Sequence, residues 1–325
     1  MADAVRTARS MWTLFEPIHA VIYFAPEARS AFERAGLRGF WRGYFAGRAA
    51  PLGSASAAVV GASFFNFAPA MVARAIPGVW ELISAEEALR TRLTGACAAL
   101  GSLLAGRESE AAAAADLLWR AVGELDYAGR VLAAANAALP APEAAPAGPT
   151  GPASSAGSVG SAGPARSSGS SGSSGSAGSS GSAGLARLWQ AATVLREHRG
   201  DGHSAALAAA DIDGCEALVL RCGLDLRRED LQPMRGWTDE QWEAARGGLA
   251  DRGWVGPDGE LTSAGRGAHA AVEEATDRAA SRPWARIGPE STAELATMLT
   301  PLAKACASVI AYPSPIGVPP PETAS

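Results

Sequence analysis

Leu249-Ala250-Asp251-Arg252-Gly253-Trp254-Val255-Gly256-Pro257-Asp258-Gly259-Glu260-Leu261-Thr262 is the stretch on which the fold turns. Gly256-Pro257-Asp258-Gly259 reads as a tight turn, since Pro fixes one φ and Asp and Gly suit the positions that follow. Trp254-Val255 and Glu260-Leu261-Thr262 are then the arms of a short hairpin. Upstream, Thr238 and Gln241 have capping-box spacing, which predicts a helix over 239–251. Downstream, Ser263-Ala264-Gly265-Arg266 opens a long helix to about Ala280.

Further upstream, residues 205–212 and 215–222 read as two more helices. Three helices, a hairpin and a closing helix describe a winged helix. Before them comes Arg196-Glu197-His198-Arg199-Gly200-Asp201-Gly202-His203, which holds two of the chain's four histidines. A helical pattern runs up to it through Leu188, Trp189, Val194 and Leu195, and resumes at Ala205. Gly200 and Gly202 are expected to break the helix, leaving the polar groups at the break.

Residues 1–139 read as an N-terminal helical lobe, with an apolar stripe through Met11, Trp12, Leu14, Phe15, Ile18, Val21 and Ile22. Residues 140–184 are Pro, Ala, Ser and Gly with almost no large apolar side chain, and read as a disordered linker. The winged-helix lobe is expected over 185–312, with a disordered tail over 313–325. The expected class is all-α: mainly helical with one small β-hairpin wing, in two helical lobes.

Of the 325 residues 48% are hydrophobic, enough to bury a real core, and the length suffices for two domains once a linker is set aside. Basic charge is nearly all arginine, and the net charge of −5 argues against a strongly basic nucleic-acid surface. Cys97, Cys215, Cys222 and Cys306 form no C-x-x-C pair and read as buried thiols of a reducing compartment. No signal-peptide pattern opens the chain and no apolar run is long enough to span a membrane, so a cytoplasmic location and no membrane partner are expected.

The run Leu249-x-x-Arg252-Gly253-Trp254-Val255, followed by Asp258-Gly259-x-Leu261-Thr262-x-x-Gly265-Arg266, resembles the winged helix of MarR-type regulators. More widely, Arg196 to His203 together with Trp12-x-Leu14-x-Glu16-Pro17-x-His19 resembles an actinobacterial family classed as helix-turn-helix proteins. The MarR resemblance implies that the helix before the hairpin enters the major groove and the wing touches the backbone. Arg246, Arg252 and Arg266 would supply those phosphate contacts. The helix opens with Asp239 and Glu240, however, and the wing carries Asp258 and Glu260, which repel phosphate.

A faint internal echo pairs Trp12 and His19 with Trp189 and His198, and would place the two histidines on related helices facing each other. The cluster at Arg196 to His203 has three readings. One is a buried polar network in which Arg196 and Arg199 pair Glu197, Asp201 or Glu16. Another is a small-molecule pocket using His19, Tyr23, Arg42, Arg48, Arg196, Glu197, His198, Arg199, Asp201 and His203. The third is a zinc or iron centre with His19, His198 and His203 as weak candidate ligands, although no strong metal motif is present. The aromatics between Phe40 and Phe67 read most simply as core.

The leading expectation is a MarR-like regulator or sensor that responds to a small molecule, with DNA and a second copy of the chain as candidate partners. The alternative is a ligand- or metal-binding protein that does not bind DNA, in the limit an enzyme, with its site at Arg196–His203 and His19. No nucleophile elbow, phosphate loop or dinucleotide fingerprint favours a particular chemistry.

Overall fold

The structure is a computed structural model that describes the backbone of residues 2–142 and 174–321. Most of the expected linker at 140–184 and the end of the tail expected at 313–325 lie outside the described residues.

The chain begins with α1 (Ala2–Phe24), α2 (Pro26–Arg34), α3 (Phe40–Ala49), α4 (Ala57–Ser63), α5 (Pro69–Ala75) and α6 (Val79–Leu82). It continues with α7 (Ala85–Leu103), α8 (Glu108–Val122), α9 (Val131–Ala137) and α10 (Ser174–Ala209). It ends with α11 (Gly214–Cys222), α12 (Arg228–Arg235), α13 (Asp239–Asp251), α14 (Ser263–Ala279) and α15 (Arg282–Ala307), the last bent at Gly288. Local chemistry sets many boundaries. Pro26 starts α2 where a missing N–H costs nothing. Asp213 with Glu216, and Thr238 with Gln241, form complete capping boxes on α11 and α13.

Two apolar cores result. The larger takes Ile18, Phe45, Leu100, Leu118, Trp189 and Leu299, from both sides of the residues not described. The smaller takes Leu207, Leu218, Leu231, Trp242, Leu249 and Val272. Helix α10, about 54 Å long at 1.5 Å per residue, contributes Trp189 to the first core and Leu207 to the second. The small unit of α11 to α14 is docked on the loop between α4 and α5. Ala68 N–H donates to Arg235 O at 2.9 Å, and Trp237 Nε1 to Asn66 O at 3.0 Å. Gly214 lies so close to Phe65 O that a Cβ would sit 2.1 Å from it. Gly236 ends α12 in the left-handed region, φ 76°, where a Cβ would also strike Met71.

Two expectations are corrected. The β-hairpin wing does not form: no strand is present among the described residues, and the arms meet in one isolated bridge, Val255 with Leu261. The Gly256 to Gly259 turn does close, with Gly259 N–H on Gly256 O at 3.0 Å. The arms exchange two bonds, Gly256 N–H on Glu260 O at 2.8 Å and Thr262 N–H on Trp254 O at 3.0 Å, but beyond these the chain passes at once into helix ends. Trp254 N–H bonds back to Leu249 O, and the Thr262 side chain accepts from Gly265 N as the cap of α14. Too little chain remains to extend a ladder, and the class is all-α without a wing.

Nor do Gly200 and Gly202 break the helix, because α10 runs through both. Gly202 is there for close approach: a Cβ would lie 2.8 Å from Arg130 Nη1 and 3.4 Å from Ala279 Cβ. The pattern resumes at Ala205 because it never stopped.

Candidate functional site

Because α10 is continuous, successive residues from Arg196 to His203 point to different neighbours. Glu197 faces α3. Its carboxylate, 2% exposed, accepts from Arg48 Nε at 3.2 Å and Nη2 at 3.3 Å, and from Arg196 Nη1 at 2.8 Å. Burial alone would raise its pKa, but Arg196 and Arg48 together hold it down at about 2. Arg196 also reaches Glu16, whose other oxygen accepts from Trp12 Nε1 at 3.0 Å. Burial leaves the Glu16 carboxyl raised despite Arg196.

Arg199 faces α14, bonding Asp277 at 2.5 Å, with Glu273 3.5 Å away and the Trp12 ring beneath its guanidinium. Arg9 of α1 closes this group through Asp277 and Glu273. Asp201 turns the other way and accepts from Ala133 N–H at 2.8 Å, its carboxyl pushed up to about 6 by burial. The network reading thus has the right arginines, but the partners of Arg199 lie on α14 rather than at Asp201.

The three candidate histidines occupy separate environments. His19 lies between Thr193 Oγ1 and Tyr23 OH, 2.9 Å from each. The Thr193 hydroxyl donates to Trp189 O, so His19 Nδ1–H donates to Thr193 and Nε2 accepts from Tyr23. Burial holds this imidazole neutral, well below its usual pKa, and both nitrogens are engaged. His198 packs edge-on to Tyr127, and its Nε2 is buried without a partner among the described residues. Burial, with Arg130 and Arg282, lowers it to about 3. His203 faces Thr276 Oγ1 at 3.0 Å and Glu273 at 3.7 Å, and burial lowers it to about 4. His19 and His198 do not face each other. No group of three or more His, Cys, Asp or Glu that could hold a metal occurs among the described residues.

What the arrangement does form is a half-open cavity of about 230 Å³ between the large body and the small unit. Trp12, Glu16, Tyr44, Arg48, Arg196 and Arg199 line the body side. Leu218, Arg221 and Arg235 line the other side, with His269 and Glu273 of α14, and residues 315–317 form a further wall. Among the expected ligand residues, Arg48, Arg196, Arg199, Asp201 and His203 line it. Tyr23 and His19 border a separate void of about 20 Å³. Arg42 is exposed on α3 and lines neither. The aromatics divide: Phe45 is wholly core, whereas Tyr44, Phe64, Phe65 and Phe67 also form cavity wall.

Sequence reasoning missed Arg235, because no helix was expected over 228–235, and Glu273 and Asp277, because their partners lie 70 residues or more away. It also missed Arg92, buried against Trp189 and bonded to Asn136 Oδ1 at 2.9 Å, with its pKa lowered to about 10 by burial.

The residues expected at DNA are mostly occupied. Arg246 bonds Glu243, and Arg252 bonds Glu216 and Asp211 O. Arg266 is exposed, while the outer face of α13 presents Asp239, Glu240 and Glu243.

Helices α12 and α13, joined by the three-residue turn Gly236-Trp237-Thr238 and packed on α11, define a helix-turn-helix protein. The chain belongs to the Helix-turn-helix family, whose profile matches residues 8–149 and 177–313. Neither curated proteins nor solved structures give a match. No helix among the described residues is long and apolar enough to cross a membrane.

Proposed function

We propose that this protein binds a small molecule in the cavity between its helical body and its helix-turn-helix unit. The observation that carries this reading is the cavity itself. At about 230 Å³ it exceeds the roughly 150 Å³ that admits benzene in an engineered apolar site. Its walls combine aromatic faces with several charged groups, the usual make-up of a ligand site. Because both units contribute walls, an occupant would favour one relative placement of the two, as a sensor requires.

The test is a native mass spectrum of untagged protein, together with thermal shifts over a panel of small organic compounds. A co-purified molecule, or shifts lost in Ala217→Trp, which fills the cavity wall, are expected. If no molecule is retained and no compound shifts the wild type more than the filled variant, the reading is wrong.

Family membership favours a second reading, a DNA-binding regulator that senses this ligand. The acidic face of α13 and the ion pairs of Arg246 and Arg252 limit the phosphate contacts available, so weak, salt-sensitive binding is expected. A MarR-like role would need a second copy to read paired half-sites. Mobility shifts with genomic fragments at low salt, compared with Arg266→Glu, test it, and absence of any shift removes DNA from the account.

A further inference from the structure

Every arginine around the cavity except one meets a carboxylate. Arg48 and Arg196 share Glu197, Arg199 meets Asp277, and Arg221 meets Asp225. Arg235, the last residue of α12, has no carboxylate at ion-pair distance among the described residues. Its hydrogen bonds go to main-chain oxygens, Pro315 O at 2.7 Å and Met234 O at 3.4 Å, and its guanidinium lies 4.9 Å from the centre of the Phe67 ring. A guanidinium has five N–H donors, so most of its capacity is unused. Burial, opposed by Tyr44 and reinforced by Arg48 and Arg196, lowers its pKa, as expected of a cation that lacks a counter-charge.

Asn66 gives an independent sign in the same wall. Its Oδ1 is buried with no hydrogen-bond partner among the described residues, and Asn66 lines the cavity. An unused buried acceptor is costly unless a donor fills its place, which a hydroxyl or N–H on the ligand's body would do and a carboxylate would not. The same cavity is also lined by the aromatic and aliphatic side chains of Phe64, Phe67, Leu218 and Leu231.

Resting on the reading of the cavity as a ligand site, we propose that its ligand is a compact organic acid with an apolar or aromatic body, whose carboxylate pairs with Arg235. The planar guanidinium fork matches a carboxylate in two parallel bonds. A single uncompensated arginine calls for one negative charge. The aromatic and aliphatic part of the wall suits a body of one or two rings, which the volume admits. Since Arg235 sits at the turn into α13, such a ligand would tie the helix-turn-helix unit directly to what fills the cavity.

The experiment measures binding of 2-naphthoate, its neutral amide 2-naphthamide, and inorganic phosphate to the full chain, by tryptophan fluorescence and calorimetry. Trp12 in the wall supplies the signal. The acid is expected to bind at least tenfold more tightly than the amide. Arg235→Gln should bring the acid down to the level of the amide while leaving the amide unchanged. Arg235→Lys retains a charge and should retain part of the preference, which covers the case in which Arg235→Gln does not fold. Equal binding of acid and amide, indifferent to Arg235, overturns the carboxylate assignment but leaves the cavity a ligand site. Phosphate binding as tightly as the acid overturns the claim of an apolar body. If neither naphthyl compound binds, or both bind Ala217→Trp as well as wild type, the assignment and the cavity reading fall together.

Discussion

Arg48 and Glu197, 149 residues apart in sequence, join α3 to α10 by two N–H···O contacts of 3.2 and 3.3 Å, with the carboxylate 2% exposed. Arg196 adds a third bond to the same carboxylate, so one buried anion holds two buried cations. Such an arrangement adds little stability over an apolar replacement but is costly to break on one side. It also fixes the position of α10 behind the cavity.

Glu197→Gln is therefore expected to destabilise the chain by about 3–5 kcal/mol, because Arg48 would remain buried without its counter-charge and Arg196 would keep only Glu16, 3.6 Å away. Chemical denaturation measures it. Adding Arg48→Met should recover part of the loss, since the two changes share one network. Strict additivity would show that the pair is not coupled.

The two glycines of the central stretch should respond in opposite directions. At Gly202 a Cβ would press on Arg130, whose guanidinium bonds His198 O and Ala279 O. Gly202→Ala is expected to cost about 1–3 kcal/mol by overpacking. At Gly200 the nearest atoms are 3.8 Å away. Gly200→Ala should raise stability by about 0.5–1 kcal/mol through helix propensity. Equal melting temperatures for the two variants would contradict the placement of α10.

Acid should destabilise the protein in two stages. His198 titrates at about 3 in the fold against 6.5 when exposed. Between those values the unfolded chain binds the proton and the fold does not, so stability falls as pH falls. The slope is about 1.4 kcal/mol per pH unit for this one group. Glu197, held at about 2 against 4.5, adds a further loss once pH drops below about 4.5. His198→Gln should make the curve shallower by that one-proton slope between pH 6.5 and 4.5, where His19 and His203 still contribute, and leave the lower stage in place. A slope over that upper range that is the same in wild type and in His198→Gln would rule out a buried neutral His198.

Zinc or ferrous iron added to the chain and then desalted is expected to leave no stoichiometric metal, measured by elemental mass spectrometry. Both nitrogens of His19 are engaged, and His198 and His203 face Tyr127 and Thr276 respectively. Metal retained by wild type and lost in both His198→Gln and His203→Gln would reverse this.

How far the sequence could be read depended on the range of each interaction. The capping box of Thr238 and Gln241 was legible because both residues and the N–H groups they serve lie within one turn. The equally local box of Asp213 and Glu216 has the same spacing and is legible on the same ground. The hairpin was over-read: the turn residues specify the bend at 256–259, but strand formation depended on residues that the caps of α13 and α14 had already engaged. Helix α12 was missed because Pro233 lies inside it and its charged residues mask a short apolar face.

The sequence by itself determined the all-helical class, the helix ends that cap themselves, and the concentration of charge at Arg196 to His203. These follow from backbone propensity and contacts within a few residues. Tertiary structure alone decided that α10 runs on through Gly200 and Gly202, with Arg130 and Ala279 packed closely against Gly202. It also decided which arginines are neutralised. An arginine codes only for a cation, and its counter-ion is whichever carboxylate the fold brings near. That is why Arg199 found Asp277 and Arg48 found Glu197, while Arg235 was left facing a cavity without one.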